Sequence, residues 1–217
     1  AVDFVLSGDL LDQCMGSAFA LKDLEIASIG LFGACSTMAL SLSAGAMLVD
    51  GGINCVVCAT SSHFCSSERQ FRFPLEYGGQ RPPTAQWTVT GAGSSVVSNS
   101  GKGIKIKAVQ IGTITDLGIT DANNMGAAMA PAASRTISTF LKDTKTSPSD
   151  YDLILTGDLG YTGTQLLYEL LEKDHNIKLK GFHKDCGMLI YDLKKQDVNS
   201  GGSGCGCSAS VLCSHIM

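Results

Sequence analysis

The sequence predicts an α/β fold built from two related halves, each with strands and helices alternating along the chain. Three observations predict it. Val2-Asp3-Phe4-Val5-Leu6-Ser7-Gly8-Asp9-Leu10 returns later as Tyr151-Asp152-Leu153-Ile154-Leu155-Thr156-Gly157-Asp158-Leu159, an apolar run ending in Gly-Asp-Leu. Gly33-Ala34-Cys35-Ser36-Thr37, ahead of an apolar segment, has a counterpart in Gly204-Cys205-Gly206-Cys207-Ser208-Ala209-Ser210-Val211. Between these pairs, short apolar runs of strand length alternate with segments of helical period.

Each element follows from its own pattern. Val2 to Leu6 reads as a strand that runs into a Gly-Asp turn, and Leu11 to Lys22 as a helix. The apolar run Ile26 to Phe32 reads as a buried strand. After a Gly-Ala-Cys turn, Met38 to Val49 carries no charge and reads as a buried helix, ended by Asp50-Gly51-Gly52. Asn54 to Thr60 and Thr88 to Ser98 read as strands, and so does Ile104 to Thr115, whose Ile104, Ile106 and Ala108 share one face. Asn123 to Lys142 places Met125, Met129, Ala133, Ile137 and Leu141 on one stripe of a helix. Thr146 to Asp150 is a loop and Gln165 to Lys173 is helical. Lys178 to Ile190 holds a strand and an Asp185-Cys186-Gly187 turn.

Composition limits the function classes. The chain has 217 residues, 44% apolar, enough for one large domain or two modest ones. Its 25 glycines beside only 6% aromatic residues suit layers packed closely through small side chains. A net charge of −4 argues against nucleic acid as a partner. No run reaches transmembrane length and no signal peptide is visible. The nine cysteines read as reduced thiols in a reducing compartment. Cys55 and Cys58 have C-x-x-C spacing, but they fall in a strand-like run that puts them on opposite faces, and no second ligand pair accompanies them. Cys205-Gly206-Cys207 is equally unsupported as a metal or redox site. The chain starts almost at once with a strand and stops in what reads as the middle of a helix, the pattern of a fragment.

Two stretches carry chemistry. Cys35 falls at the first turn of the buried helix, where free N–H groups and the helix dipole favour a thiolate or a bound carboxylate. The same cysteine also fits a place where two backbones pack closely and a small apolar residue is needed. Ser61 to Pro83 is a polar excursion directly after a strand, where ligands of α/β proteins tend to bind. Within it His63, Arg69 and Arg72 gather donors suited to carboxylates. A solvated loop with Arg69 paired to Glu68 or Glu76 reads equally well there.

Taken in order, nine segments specify a family. They are Phe32-Gly33-Ala34-Cys35-Ser36-Thr37, Ala59-Thr60-Ser61-Ser62-His63, Glu68-Arg69-Gln70-Phe71-Arg72, Glu76-Tyr77-Gly78-Gly79-Gln80, Thr88-Val89-Thr90-Gly91, Asp116 to Asp121, Ala128 to Ala133, Tyr151 to Leu159 and Gly201 to Cys205. Together they resemble the stage V sporulation protein AD family of the thiolase-like superfamily. The resemblance implies duplicated halves, residues 1–145 and 146–217, in a layered α-β-α-β-α arrangement truncated at both ends. The first strand and helix and two final strands would be missing. It also implies a role in spore formation: binding dipicolinate, chelated with calcium, for transport into the developing spore beside membrane-embedded partner proteins. A homodimer, peripheral to the inner membrane of the spore in a spore-forming bacterium, is the expected form.

Condensing enzymes of that superfamily, by the same resemblance, place a cysteine where Cys35 stands. They add a histidine at the end of a second-half strand and a histidine or asparagine in a later glycine-rich loop. Here those places read Thr156-Gly157-Asp158 and Gly202-Ser203-Gly204-Cys205, and neither histidine is matched. Asp158 could act as base near neutral pH only with a raised pKa. The expectation is a pseudoenzyme whose ligand-binding residues are Cys35, His63, Arg69 and Arg72. Its alternatives are an acyltransferase with Cys35 as nucleophile and a scaffold that binds no small molecule. No resident cofactor or metal site is expected beyond calcium arriving with the ligand, because Asp116 and Asp121 lack calcium-loop spacing.

Overall fold

The structure, a computed structural model, describes every residue except 13, 64, 66–68 and 73–78. The chain divides into two compact units. Unit 1 comprises Ala1–Phe73, Thr88–Val109 and Ser203–Met217, and unit 2 comprises Pro74–Trp87 and Gln110–Gly202.

Unit 1 contains a four-stranded sheet of order β2-β1-β3-β5. Its strands are Phe4–Asp9 (β1), Ser28–Gly30 (β2), Cys55–Ser62 (β3) and Gly91–Ser98 (β5), of which β2 is shorter than the run Ile26 to Phe32 and exposed rather than buried. The two-residue strands Trp87–Thr88 (β4) and Gly202–Ser203 (β8) pair separately, at the points where the chain passes from one unit to the other. β1 runs parallel to β2 and β3, while β5 is antiparallel to β3. Along β3 every second residue is buried: Val56, Cys58, Thr60 and Ser62 face inward. Cys55 therefore lies on the opposite face from Cys58, as the spacing requires.

The core joins Leu6, Val56 and Cys58 to Leu42, Leu48, Val49 and Val97. Thr37–Asp50 (α2) supplies Leu42, Leu48 and Val49 and lies so close to β3 that a Cβ on Gly45 would stand 2.7 Å from the Cys58 Sγ. The Cys58 thiol donates to the Ser41 carbonyl at 3.1 Å, and burial pushes its pKa up to about 11. The first helix is shorter than its pattern, Met15–Leu21 (α1), and continues as a 3-10 turn, Lys22–Leu24.

The strand expected at Ile104 to Thr115 does not form. No described strand pairs with this segment, so its alternation has no ladder to join, and Ile104, Ile106, Ile111 and Ile114 stand exposed.

In unit 2, Met125–Thr144 (α3) packs along Gly160–His175 (α4). The buried residues are Leu159, Leu167, Leu171 and Leu179, with Met129, Ala133 and Ile137 of the predicted stripe laid against them. Asn124 caps α3 by accepting the N–H of Ala127. Ile154–Thr156 (β6) and His183–Asp185 (β7) pair in parallel. The strand expected within Lys178 to Ile190 is β7, and the chain turns after it into a short helix, Cys186–Leu189 (α5). Helix α4 starts five residues ahead of the predicted Gln165, because the carboxylate of Asp185 accepts the N–H groups of Leu159 and Gly160 at 2.9 Å each. The chain ends in Cys205–Val211 (α6) and a π-turn, Leu212–Ile216. Among the described residues no helix is long and apolar enough to cross a membrane.

Candidate functional site

Cys35 sits in a 3-10 turn, Ala34–Ser36, that leads directly into α2. Ala34 holds a left-handed φ of 47°, a strained conformation for a residue with a Cβ. Such strain persists only where surrounding bonds enforce it, and it concentrates at functional sites. Here Thr37 and Ser36 enforce it. The Thr37 hydroxyl donates to the Ala34 carbonyl at 2.7 Å and accepts the Gly33 N–H at 3.2 Å. The Ser36 hydroxyl donates to the Gly33 carbonyl at 2.8 Å. The half-buried cysteine is thus carried on a fixed elbow at the helix head, where the sequence puts it.

Helix α6 packs against this turn and against β3 and β5. Gly206 permits the approach: a Cβ there would stand 2.5 Å from the Ser62 Oγ and 2.9 Å from the carbonyls of Val89 and Gly91. The Ser208 hydroxyl donates to the carbonyls of Cys205 at 3.1 Å and Cys35 at 3.5 Å, so it ties the heads of α6 and α2 together. Cys205 is fully buried, and its thiol donates to the Ser61 carbonyl at 3.6 Å. At the same end of the sheet, Asp9 accepts the N–H groups of Gly16 and Ser17 and the Ser61 hydroxyl. Ser62 donates to the Val89 carbonyl at 2.8 Å.

His63 follows β3 and is exposed, and its Nδ1 accepts the Cys65 N–H at 3.1 Å. Arg69 is exposed on a 3-10 turn, Arg69–Phe71. Arg72 is half-buried and donates from Nε to the Thr88 hydroxyl at 3.0 Å and from a terminal nitrogen to the Thr88 carbonyl at 2.5 Å. The structure therefore anchors Cys35 to Ser208 and Arg72 to Thr88. Glu68 and Glu76, the alternative partners for Arg69, lie outside the described residues, as do Tyr77 and Gly78.

In unit 2, the Thr156-Gly157-Asp158 place is held firmly. Gln86 donates to the Asp158 carbonyl at 2.7 Å. Asp185, 2% exposed, accepts the Thr156 hydroxyl at 2.6 Å in addition to the two N–H groups beyond the turn. His183, also buried, lies 2.8 Å from the Thr156 Oγ1 through Nε2 and 3.1 Å from the Tyr168 hydroxyl through Nδ1. Burial pushes the imidazole down to about 4 and the Asp185 carboxyl up to about 6, the latter opposed by its three hydrogen bonds. Burial, with Asp185 and Asp158 nearby, lifts the Cys186 thiol to about 12.

Sequence reasoning assigned no role to Thr37, Ser208, Thr88 or His183. The only signal for the first was its place two residues beyond Cys35. Among the described residues, no group of three His, Cys, Asp or Glu side chains could hold a metal ion.

The described geometry has known relatives. A curated stage V sporulation protein AD of Bacillus subtilis is 47% identical over 218 residues, which cover all of this chain and 64% of that protein. The chain thus spans somewhat under two thirds of that relative's length. Among solved structures, a tetronic acid condensing enzyme superposes with a TM-score of 0.59 at 17% identity, covering 95% of this chain and 67% of that one. The 3-oxoacyl-(acyl carrier protein) synthase III of Pseudomonas aeruginosa gives 0.58 at 12% identity, covering 97% and 66%. The corresponding synthase of Aquifex aeolicus gives 0.54 at 15%, covering 96% and 65%. These likenesses establish a thiolase-like fold of the condensing-enzyme type. The profile of the Stage V sporulation protein AD family matches residues 1–217, so the chain belongs to that family of sporulation proteins.

Proposed function

We propose that this chain is part of a non-catalytic, thiolase-like sporulation protein that binds dipicolinate, entering as its calcium chelate, for uptake into the developing spore. The observation that carries the reading is the strained Ala34-Cys35 elbow at the head of α2. A helix head suits an anion, and its strain marks a place kept for more than packing. The two places where condensing enzymes put proton-handling side chains hold Gly157-Asp158 and the buried Cys205. Neither place supplies the histidine that acyl transfer of the condensing type draws on as general base. Arg72, fixed by Thr88, and Arg69 supply cationic forks for a planar dicarboxylate. In this reading the ligand is handed on through membrane-embedded partners, and the protein works as a homodimer at the inner spore membrane.

Calorimetric titration with dipicolinate, with and without calcium, tests the proposal. Saturable binding that weakens in Arg69→Ala and Arg72→Lys is the expected result. No heat of binding in either condition sinks it. A stable acyl adduct on Cys35 after incubation with an acyl-CoA would favour the acyltransferase instead.

A further inference from the structure

We propose that Tyr168, His183 and Thr156 form a proton wire to the buried carboxyl of Asp185, which lets that group gain or lose a proton while the Gly157–Asp158 turn stays closed. The geometry is a continuous chain of four side chains. Tyr168 is half-buried at one end, and Asp185 is 2% exposed at the other. The links measure 3.1 Å from Tyr168 to His183, 2.8 Å from His183 to Thr156 and 2.6 Å from Thr156 to Asp185.

Hydrogen counting fixes the direction. Thr156 has one hydroxyl hydrogen, and it goes to Asp185. The Thr156 oxygen therefore accepts from His183 Nε2–H, which leaves Nδ1 to accept from the Tyr168 hydroxyl. When a proton arrives from solvent at Tyr168, each link passes one on. The tyrosine hydrogen moves to Nδ1, the Nε2 hydrogen to Thr156, and the threonine hydrogen to Asp185 Oδ2. Tyrosine, histidine and threonine keep their hydrogen counts, and Asp185 gains one. Every heavy-atom contact survives with its donor and acceptor reversed. Asp185 Oδ1 still accepts Gly160 N–H, and a lone pair on Oδ2 remains for Leu159 N–H.

The titratable groups that face Asp185 are Asp158 from the turn, Tyr168 from α4, His183 from β7 and Cys186 from α5. Burial and Asp185 both raise Tyr168, so it remains a neutral hydroxyl. The carboxyl at about 6 takes a proton well before the imidazole at about 4, which keeps the ring neutral while it passes the proton on.

Nitrogen NMR of the imidazoles in the intact chain, at about pH 7.5 and about pH 5, reads the ring directly. The expected result is a neutral His183 at both, with its hydrogen on Nε2 at the higher pH and on Nδ1 at the lower. An imidazolium at the lower pH, or one tautomer throughout, overturns the wire. In Thr156→Val the tautomer change should vanish, and amide exchange at Leu159 and Gly160 at the lower pH should rise about tenfold. A tautomer change that persists in this variant overturns it too. If the variant does not fold, the wild-type spectra decide alone.

Discussion

The Thr37 hydroxyl donates to the Ala34 carbonyl at 2.7 Å and so pins a left-handed alanine one residue before the cysteine of the elbow. Two substitutions should act with opposite signs. Thr37→Val removes the pin and is expected to cost about 1 kcal/mol. Ala34→Gly relieves the strain and should stabilise by roughly 0.5 to 1 kcal/mol. Urea unfolding of both variants checks this, and a destabilised Ala34→Gly would deny that the turn is strained.

Opposed pH dependence is expected around β7. In the folded state His183 titrates at about 4 rather than 6.5, so the unfolded chain binds the extra proton between them. Asp185→Asn leaves only this contribution, and stability should rise with pH across that window, by on the order of 3 kcal/mol. Asp185 titrates at about 6 rather than 3.8, so there the folded chain holds the extra proton. His183→Gln leaves that contribution alone, and stability should fall by a similar amount as pH rises to about 6. In the wild type the two slopes offset. Unfolding curves across this range, taken as variant minus wild type, test the pair; slopes of the same sign would contradict it.

Thiol labelling should sort the cysteines by burial. Cys58 and Cys186, lifted to about 11 and about 12, hold almost no thiolate near neutral pH. Iodoacetamide should reach them only after unfolding, whereas the exposed Cys65 should react in the native protein. Mass spectrometry of the labelled peptides is the measurement, and rapid native alkylation of Cys58 would be inconsistent with the packing.

Gly45→Ala should cost about 1 to 3 kcal/mol, since its methyl would meet the Cys58 sulfur. Adding Cys58→Ala removes the obstacle. The double variant should therefore lose less than the sum of the single changes, by at least about 0.5 kcal/mol. Strict additivity would place the clash elsewhere.

Local pattern made much of this legible. The Gly157-Asp158 bend, the helix after Cys35, the β3 alternation and the α3 stripe each depend on neighbours close in sequence, and each stands where its pattern puts it, whereas Gly8-Asp9, expected as a turn, stays in β1 paired with Thr60 and Ser61. What failed depends on distant partners. Helix α4 starts early because its cap comes from Asp185, 25 residues beyond Gly160. Ile104 to Thr115 has the alternation of a strand, but alternation cannot supply a second strand to bond with. At the site, Cys35 could be placed at its helix head from residue types alone. That Arg72 would be braced by Thr88, and that an imidazole would be sealed beside Asp185, depends on folds of the chain that no short window contains.

The inward row of β3 changes character along its length, from Val56 and Cys58 to Thr60 and Ser62. Its footing is greasy and its tip is hydroxylic, on one continuous ribbon of backbone. The two ends therefore fail differently: a smaller side chain at the greasy footing leaves a void, while at the tip the loss of the Ser62 hydroxyl strands the Val89 carbonyl it serves.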